Sequence, residues 1–102
     1  MNQPELFDIV ELLITVPEGN LEAGEQGTIV ECFDEKAFEV EFSDSDGKTL
    51  ALCTLSPQEF IVVWQSKTKS WLSTPDRIIA IVENFDPEKQ KAVFEFAKSL
   101  RI

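Results

Sequence analysis

The stretch from Gly24 to Phe42 constrains the fold more than any other part of the chain. Val30 and Cys32 fall on one face with Glu31 opposite, and Phe38, Val40 and Phe42 fall on one face with Glu39 and Glu41 opposite. That is the period-two pattern of two half-buried antiparallel strands. Asp34-Glu35-Lys36 is the connection between them. Gly24 and Gly27 stand just upstream, where a chain turning into a strand needs positive φ or a close backbone approach. The stretch therefore predicts a β-hairpin, around which the remaining elements are placed.

Before it, Leu6 to Val16 is apolar apart from Asp8 and Glu11 and predicts a strand, stopped by Pro17 and followed by a turn at Glu18-Gly19-Asn20. After it, Ser43 to Lys48 carries Asp46-Gly47, which is hairpin-turn chemistry, and Thr49 to Leu55 predicts the next strand. Ser56-Pro57-Gln58-Glu59 has a hydroxyl cap and a proline at the first helical position, the signature of a single tight helical turn. Ile61 to Trp64 is a short β-branched strand. Five short strands with tight turns, and no helical pattern between the third and fourth, point to a small SH3-like barrel over residues 1–64 rather than an OB-like one.

From Gln65 the character changes. Residues 65–73 read as a polar, mildly basic linker ending on the apolar pair Trp71-Leu72, and residues 74–102 as an α-helical hairpin. Ser73-Thr74-Pro75-Asp76 and Asp86-Pro87-Glu88 are two successive helix starts, each with a capping side chain, a proline and an acid in the first turn. Ile78, Ile79, Val82 and Phe85 form one apolar stripe; Val93, Phe96, Ala97 and Leu100 form the other. So short a hairpin does not bury both stripes by itself. It docks on its own barrel, with Trp71 as anchor, or pairs with the hairpin of a second chain. The predicted fold is thus mainly β with an α tail, and the predicted partner-binding residues are Trp71, Phe85, Val93, Phe96 and Leu100.

Charge is distributed along the same division. Residues 1–64 hold 14 acids against Lys36 and Lys48, a balance of −12, and residues 65–102 hold 5 acids against 7 bases, a balance of +2. An acidic body repels a phosphate backbone, so direct nucleic-acid binding is not expected, and a basic protein is the complementary partner. The chain has no histidine and no tyrosine. A Ser-His or Cys-His nucleophile is therefore impossible. Glu31, Glu39 and Glu41 alternate with apolar residues, as the solvent face of a sheet does. Asp44-Ser45-Asp46-Gly47 resembles part of a calcium loop but lacks its closing acid, and Cys32 and Cys53 are too few ligands for zinc. No cofactor or metal is expected. No apolar run approaches the ~20 residues that span a bilayer, and Met1 to Glu5 lacks a basic leader, which predicts a cytoplasmic protein with reduced thiols and no membrane contact.

Three segments, Leu6 to Leu12, Leu21 to Glu31, and Phe38 to Phe42 with Asp46 to Ala51, resemble a family of small bacterial proteins classed as domain of unknown function 4926. The resemblance covers about residues 6 to 64. Gly24-x-x-Gly27-Thr28-Ile29-Val30 is also similar to the motif of KOW and other SH3-like barrels, and Asp86 to Phe96 resembles a helix of short antitoxin-like proteins. The family brings no catalytic residues with it. The resemblance implies a small acidic protein that accompanies another protein, as antitoxin or immunity partners do. The expected function is accordingly that of a non-enzymatic protein-binding module of antitoxin-like, immunity-like or adaptor kind, forming a homodimer through its C-terminal helices. The alternative is a nucleic-acid-associated or nucleic-acid-mimicking KOW-like module.

Overall fold

Alternation along the central hairpin is realised in the core. In the computed structural model, which describes residues 3–101, Phe38, Val40 and Phe42 are buried while Glu39 and Glu41 face outward. The strands are β1 (Ile9–Leu12), β2 (Gln26–Asp34), β3 (Ala37–Ser43), β4 (Thr49–Leu55), β5 (Phe60–Gln65) and β6 (Ser70–Trp71). Two helices follow, α1 (Thr74–Val82) and α2 (Pro87–Ser99), and single 3-10 turns occupy Pro17–Gly19 and Pro57–Glu59. All strand pairings are antiparallel, in the order β4-β3-β2-β1-β5-β6.

The sheet departs from the expected closed barrel of five strands. It has six strands and is open, with β4 and β6 as its edges. The sixth strand lies in the stretch read as a linker. Lys69 adopts a left-handed conformation at φ +53°, which reverses the chain and sets Ser70 against Gln65 and Trp71 against Trp64. The two indoles meet edge to face at 6.5 Å, an aromatic cross-strand pair of the kind that stabilises a hairpin. Sequence periodicity misses it because two residues are too few to alternate.

β2 contains a second departure. Ile29 pairs with Val40 and Glu31 with Glu39, which leaves Val30 as the extra residue of a β-bulge. Ile29, two residues after the buried Gly27 and opposite Val40, takes the core position, and the extra residue that follows turns Glu31 outward beside Glu39. The two glycines of the approach act differently. Gly24 has φ +97°, while Gly27 is packed so closely that a Cβ would lie 2.8 Å from the Glu41 carbonyl oxygen and from the Phe42 and Val40 side chains. Only glycine fits there.

The main core gathers Val10, Leu12, Leu21, Ile29, Phe38, Val40, Phe42, Leu55 and Phe60 within the curved sheet. A smaller one, Ile61, Val63 and Ala80 with Ile9, Leu13 and Ile81 around it, joins α1 to β5. Asp8 ties the chain's first turn to the end of β5. Its carboxylate is 3 % exposed and accepts the Glu5 and Ser66 amides at 2.9 and 2.8 Å, with the Ser66 hydroxyl at 3.0 Å. The radius of gyration is 14.6 Å, above the roughly 13 Å of a compact chain this long, because the helical tail projects.

Candidate functional site

The tail begins as the sequence predicts. The Ser73 hydroxyl accepts the Asp76 amide at 3.2 Å, the Asp86 carboxylate accepts the Lys89 amide at 2.9 Å, and each helix has a proline in its first turn. α1 docks on its own sheet. Ala80 is small enough to let the helix backbone approach Ile61 and Val63, and the Arg77 guanidinium donates to the Leu72 carbonyl at 3.0 Å.

α2 is held only at its start. The Gln90 amide donates to the Val82 carbonyl at 3.0 Å, satisfying one of the last carbonyls of α1, and Val93 is half-buried. Beyond Val93 the helix leaves the body. Phe94, Phe96 and Leu100 are 61 %, 65 % and 68 % exposed. At 100° per residue, Val93, Phe94, Phe96, Ala97 and Leu100 share one broad face, so these exposures belong to a single apolar stripe. Lys98 leans over the Phe94 ring at 4.9 Å from its centre and pairs with Glu95 at 3.1 Å.

The five residues predicted to bind a partner therefore divide. Phe85 and Val93 are half-buried at the turn and joint between the helices, whereas Phe96 and Leu100 are free on the projecting half of α2. Trp71, expected as the anchor if the tail docks on its own barrel, is exposed on edge strand β6, with its ring against Trp64. Sequence reasoning missed Phe94, which sits two residues from Phe96 and so falls at the margin of the stripe rather than on its centre line. It also missed Leu50 and Leu52, which project from the outer face of β4 and are 58 % and 56 % exposed. An uncharged strand of alternating leucines was the available signal.

Other chemistry is sparse. A cavity of about 180 Å³ lies between the N-terminal segment, β5 and α1, lined by Glu5, Asp8, Phe60, Gln65, Leu72 and Asn84 among others. Asp8, its buried acid, already accepts the hydrogen bonds that pin the fold. Among the described residues, no group of three or more His, Cys, Asp or Glu is placed to hold a metal ion. The Asp44 carboxylate instead accepts the Asp46 and Lys48 amides at 2.9 Å each, closing the β3–β4 turn. Both cysteines are free. Cys32 is exposed near the end of β2, opposite Phe38, and Cys53 is half-buried. Partial burial raises both thiol pKa values, aided at Cys32 by Asp8, Glu31 and Glu5 and at Cys53 by Glu18. Both thiols are thereby made poorer nucleophiles. Among the described residues, no helix is long and apolar enough to cross a membrane.

Residues 6–62, more than half of the chain, match the model of the family described as Domain of unknown function (DUF4926). The chain belongs to that family. The matched region spans β1 to β4 and ends within β5. β6, α1 and α2 lie outside the matched residues, and so does the exposed stripe of α2. No curated protein and no solved structure matches the chain.

Proposed function

We propose that the protein is a non-enzymatic protein-binding module, of adaptor or antitoxin-like kind, that docks through the apolar face of α2. One observation carries this reading: Phe94, Phe96 and Leu100 stand exposed on a helix that projects from the body. A monomer that kept such a stripe in water would bear a needless solubility burden, and helices that present one commonly lay it into a partner's groove. The lack of histidine and the poorly nucleophilic thiols support the non-enzymatic part. The strand order β4-β3-β2-β1-β5, with a 3-10 turn between β4 and β5, supports an SH3-like, KOW-like reading of the connectivity. Free thiols are consistent with action in the cytoplasm. The alternative of direct nucleic-acid binding meets an outer sheet face bearing Glu31, Glu39 and Glu41, which repels phosphate.

Association measured by sedimentation and by copurification tests the reading. Replacing Phe96 and Leu100 by aspartate is expected to abolish association while the circular dichroism of the body is retained. Association unchanged in that variant overturns the docking role of α2. Turnover of a small substrate that is lost on mutating Glu39 or Glu41 overturns the non-enzymatic one.

A further inference from the structure

Resting on the reading of α2 as a docking helix, we infer that its occupant surface is the outer face of β2, β3 and β4 on a second copy of this chain, so that two chains dock reciprocally, each tail on the other's sheet. The receiving face is defined by register. Thr28, Glu41 and Leu52 form one cross-strand row, and Glu31, Glu39 and Thr54 the next, with Leu50 beside them. Directly opposed residues have Cβ atoms about 5 Å apart, so Glu31 and Glu39 repel one another on a sheet that carries two exposed leucines. Such a face is completed by a surface both apolar and basic.

α2 is that surface. Its apolar stripe is bordered by Lys91 and Lys98, and Lys89 extends it in the first turn. Lys89, Lys91 and Arg101 make no ion pair with any described residue, so their charges are available. Sign and hydropathy thus match between a tail of charge +2 and a body of charge −12. Pairing α2 with α2 of a second copy fits less well. A two-fold interface brings the same patch to itself, and the lysine border of one helix would face the lysine border of the other.

Area is consistent with the arrangement. Phe94, Phe96, Leu100, Leu50 and Leu52 each offer on the order of 100 Å² of exposed side chain, and two-fold symmetry duplicates the contact. The apolar part alone reaches roughly 1,000 Å², where specific interfaces begin. Within one chain the contact does not form: α1 fixes the tail against β5, and Leu50 and Leu52 are left exposed.

Two charge reversals on the full chain test the inference. Glu39→Lys with Glu41→Lys alters only the sheet, and Lys89→Glu with Lys91→Glu alters only the tail, placing acids near a helix N-terminus where they are tolerated. Sedimentation equilibrium is expected to show a dimer for the unaltered chain. Each variant alone should associate at least tenfold more weakly, and an equimolar mixture of the two should recover a 1:1 dimer, because the reversed tail then meets the reversed sheet. Circular dichroism confirms that each variant is folded. A monomeric unaltered chain at high micromolar concentration, a dimer untouched by either reversal, or a mixture that stays monomeric overturns the proposal. A dimer that resists both reversals but is lost on Phe96→Asp with Leu100→Asp overturns the sheet as receiver while leaving α2 as the docking helix. A dimer that resists the aspartates too removes both.

Discussion

α1 and α2 begin by the same chemistry and end in different circumstances. Each has an oxygen-bearing cap accepting an amide three residues on, a proline in the first turn and an acid beside it. Yet α1 is packed on β5 through Ala80, and α2 has no buried residue. Helix formation and helix burial are therefore written in different parts of the sequence. Caps and propensities decide where a helix starts. Whether it is covered depends on a small residue facing a flat apolar surface at the right distance, and Ala80 over Ile61 and Val63 meets that condition.

The contrast is broken most directly from beneath α1. Ile61→Ala removes the floor of the smaller core and is expected to cost about 2–5 kcal/mol, read as a lower urea midpoint. A loss below about 1 kcal/mol would mean that α1 rests loosely and that the two helices differ little. Ala80→Leu acts on the other side of the same contact. Overpacking there should cost about 1–3 kcal/mol and lift α1 from the sheet, a change reported by Trp64 and Trp71 fluorescence at the neighbouring edge. Asp86→Ala is the counterpart on α2. Losing the cap is worth about 0.5–2 kcal/mol of helix stability. Since α2 adds little to the global fold, this should appear as faster amide exchange along residues 89–99, with the urea midpoint nearly unchanged. A matching fall in the midpoint would show α2 to be part of the cooperative unit.

How much of this was legible follows the length scale of each signal. Phe38-Glu39-Val40-Glu41-Phe42 carried its burial pattern openly, because seven residues of β3 alternate without a break. Pro57, Pro75 and Pro87 marked three helical starts through a constraint local to one residue. The bulge at Val30 and the two residues of β6 were not legible: one shifts a pattern by a single step, and the other is fixed by Trp71 meeting Trp64, a contact between neighbouring strands. For the candidate surface, Phe96 and Leu100 were legible from helical spacing. Which of the two helices would be covered was not, since that depends on β5 lying under Ala80. Leu50 and Leu52 were overlooked for the reverse reason. A strand in a small protein is expected to bury its leucines, and the face they occupy is set by Ala51 and Cys53 packing inward against the main core.

The smallest expected effect sharpens the comparison furthest. Phe96→Ser deletes a large aromatic side chain, a change that costs about 3–5 kcal/mol when the ring is buried. Here the ring is 65 % exposed on the projecting half of α2, so its removal withdraws little from the folded chain and spares water an apolar surface. Below the concentration at which chains associate, the unfolding free energy read from urea melts should move by no more than about 0.5 kcal/mol in either direction. At high concentration the same substitution should lower the midpoint, because a partner that binds only the folded chain stabilises it by mass action and Phe96 would be part of what it holds. A dilution series of urea melts on both chains separates the two cases. Coincident curves when dilute, diverging as concentration rises, mean that Phe96 serves a neighbour. Curves that already differ by more than about 1 kcal/mol when dilute mean that it is packed within its own chain, and the distinction between α1 and α2 then falls.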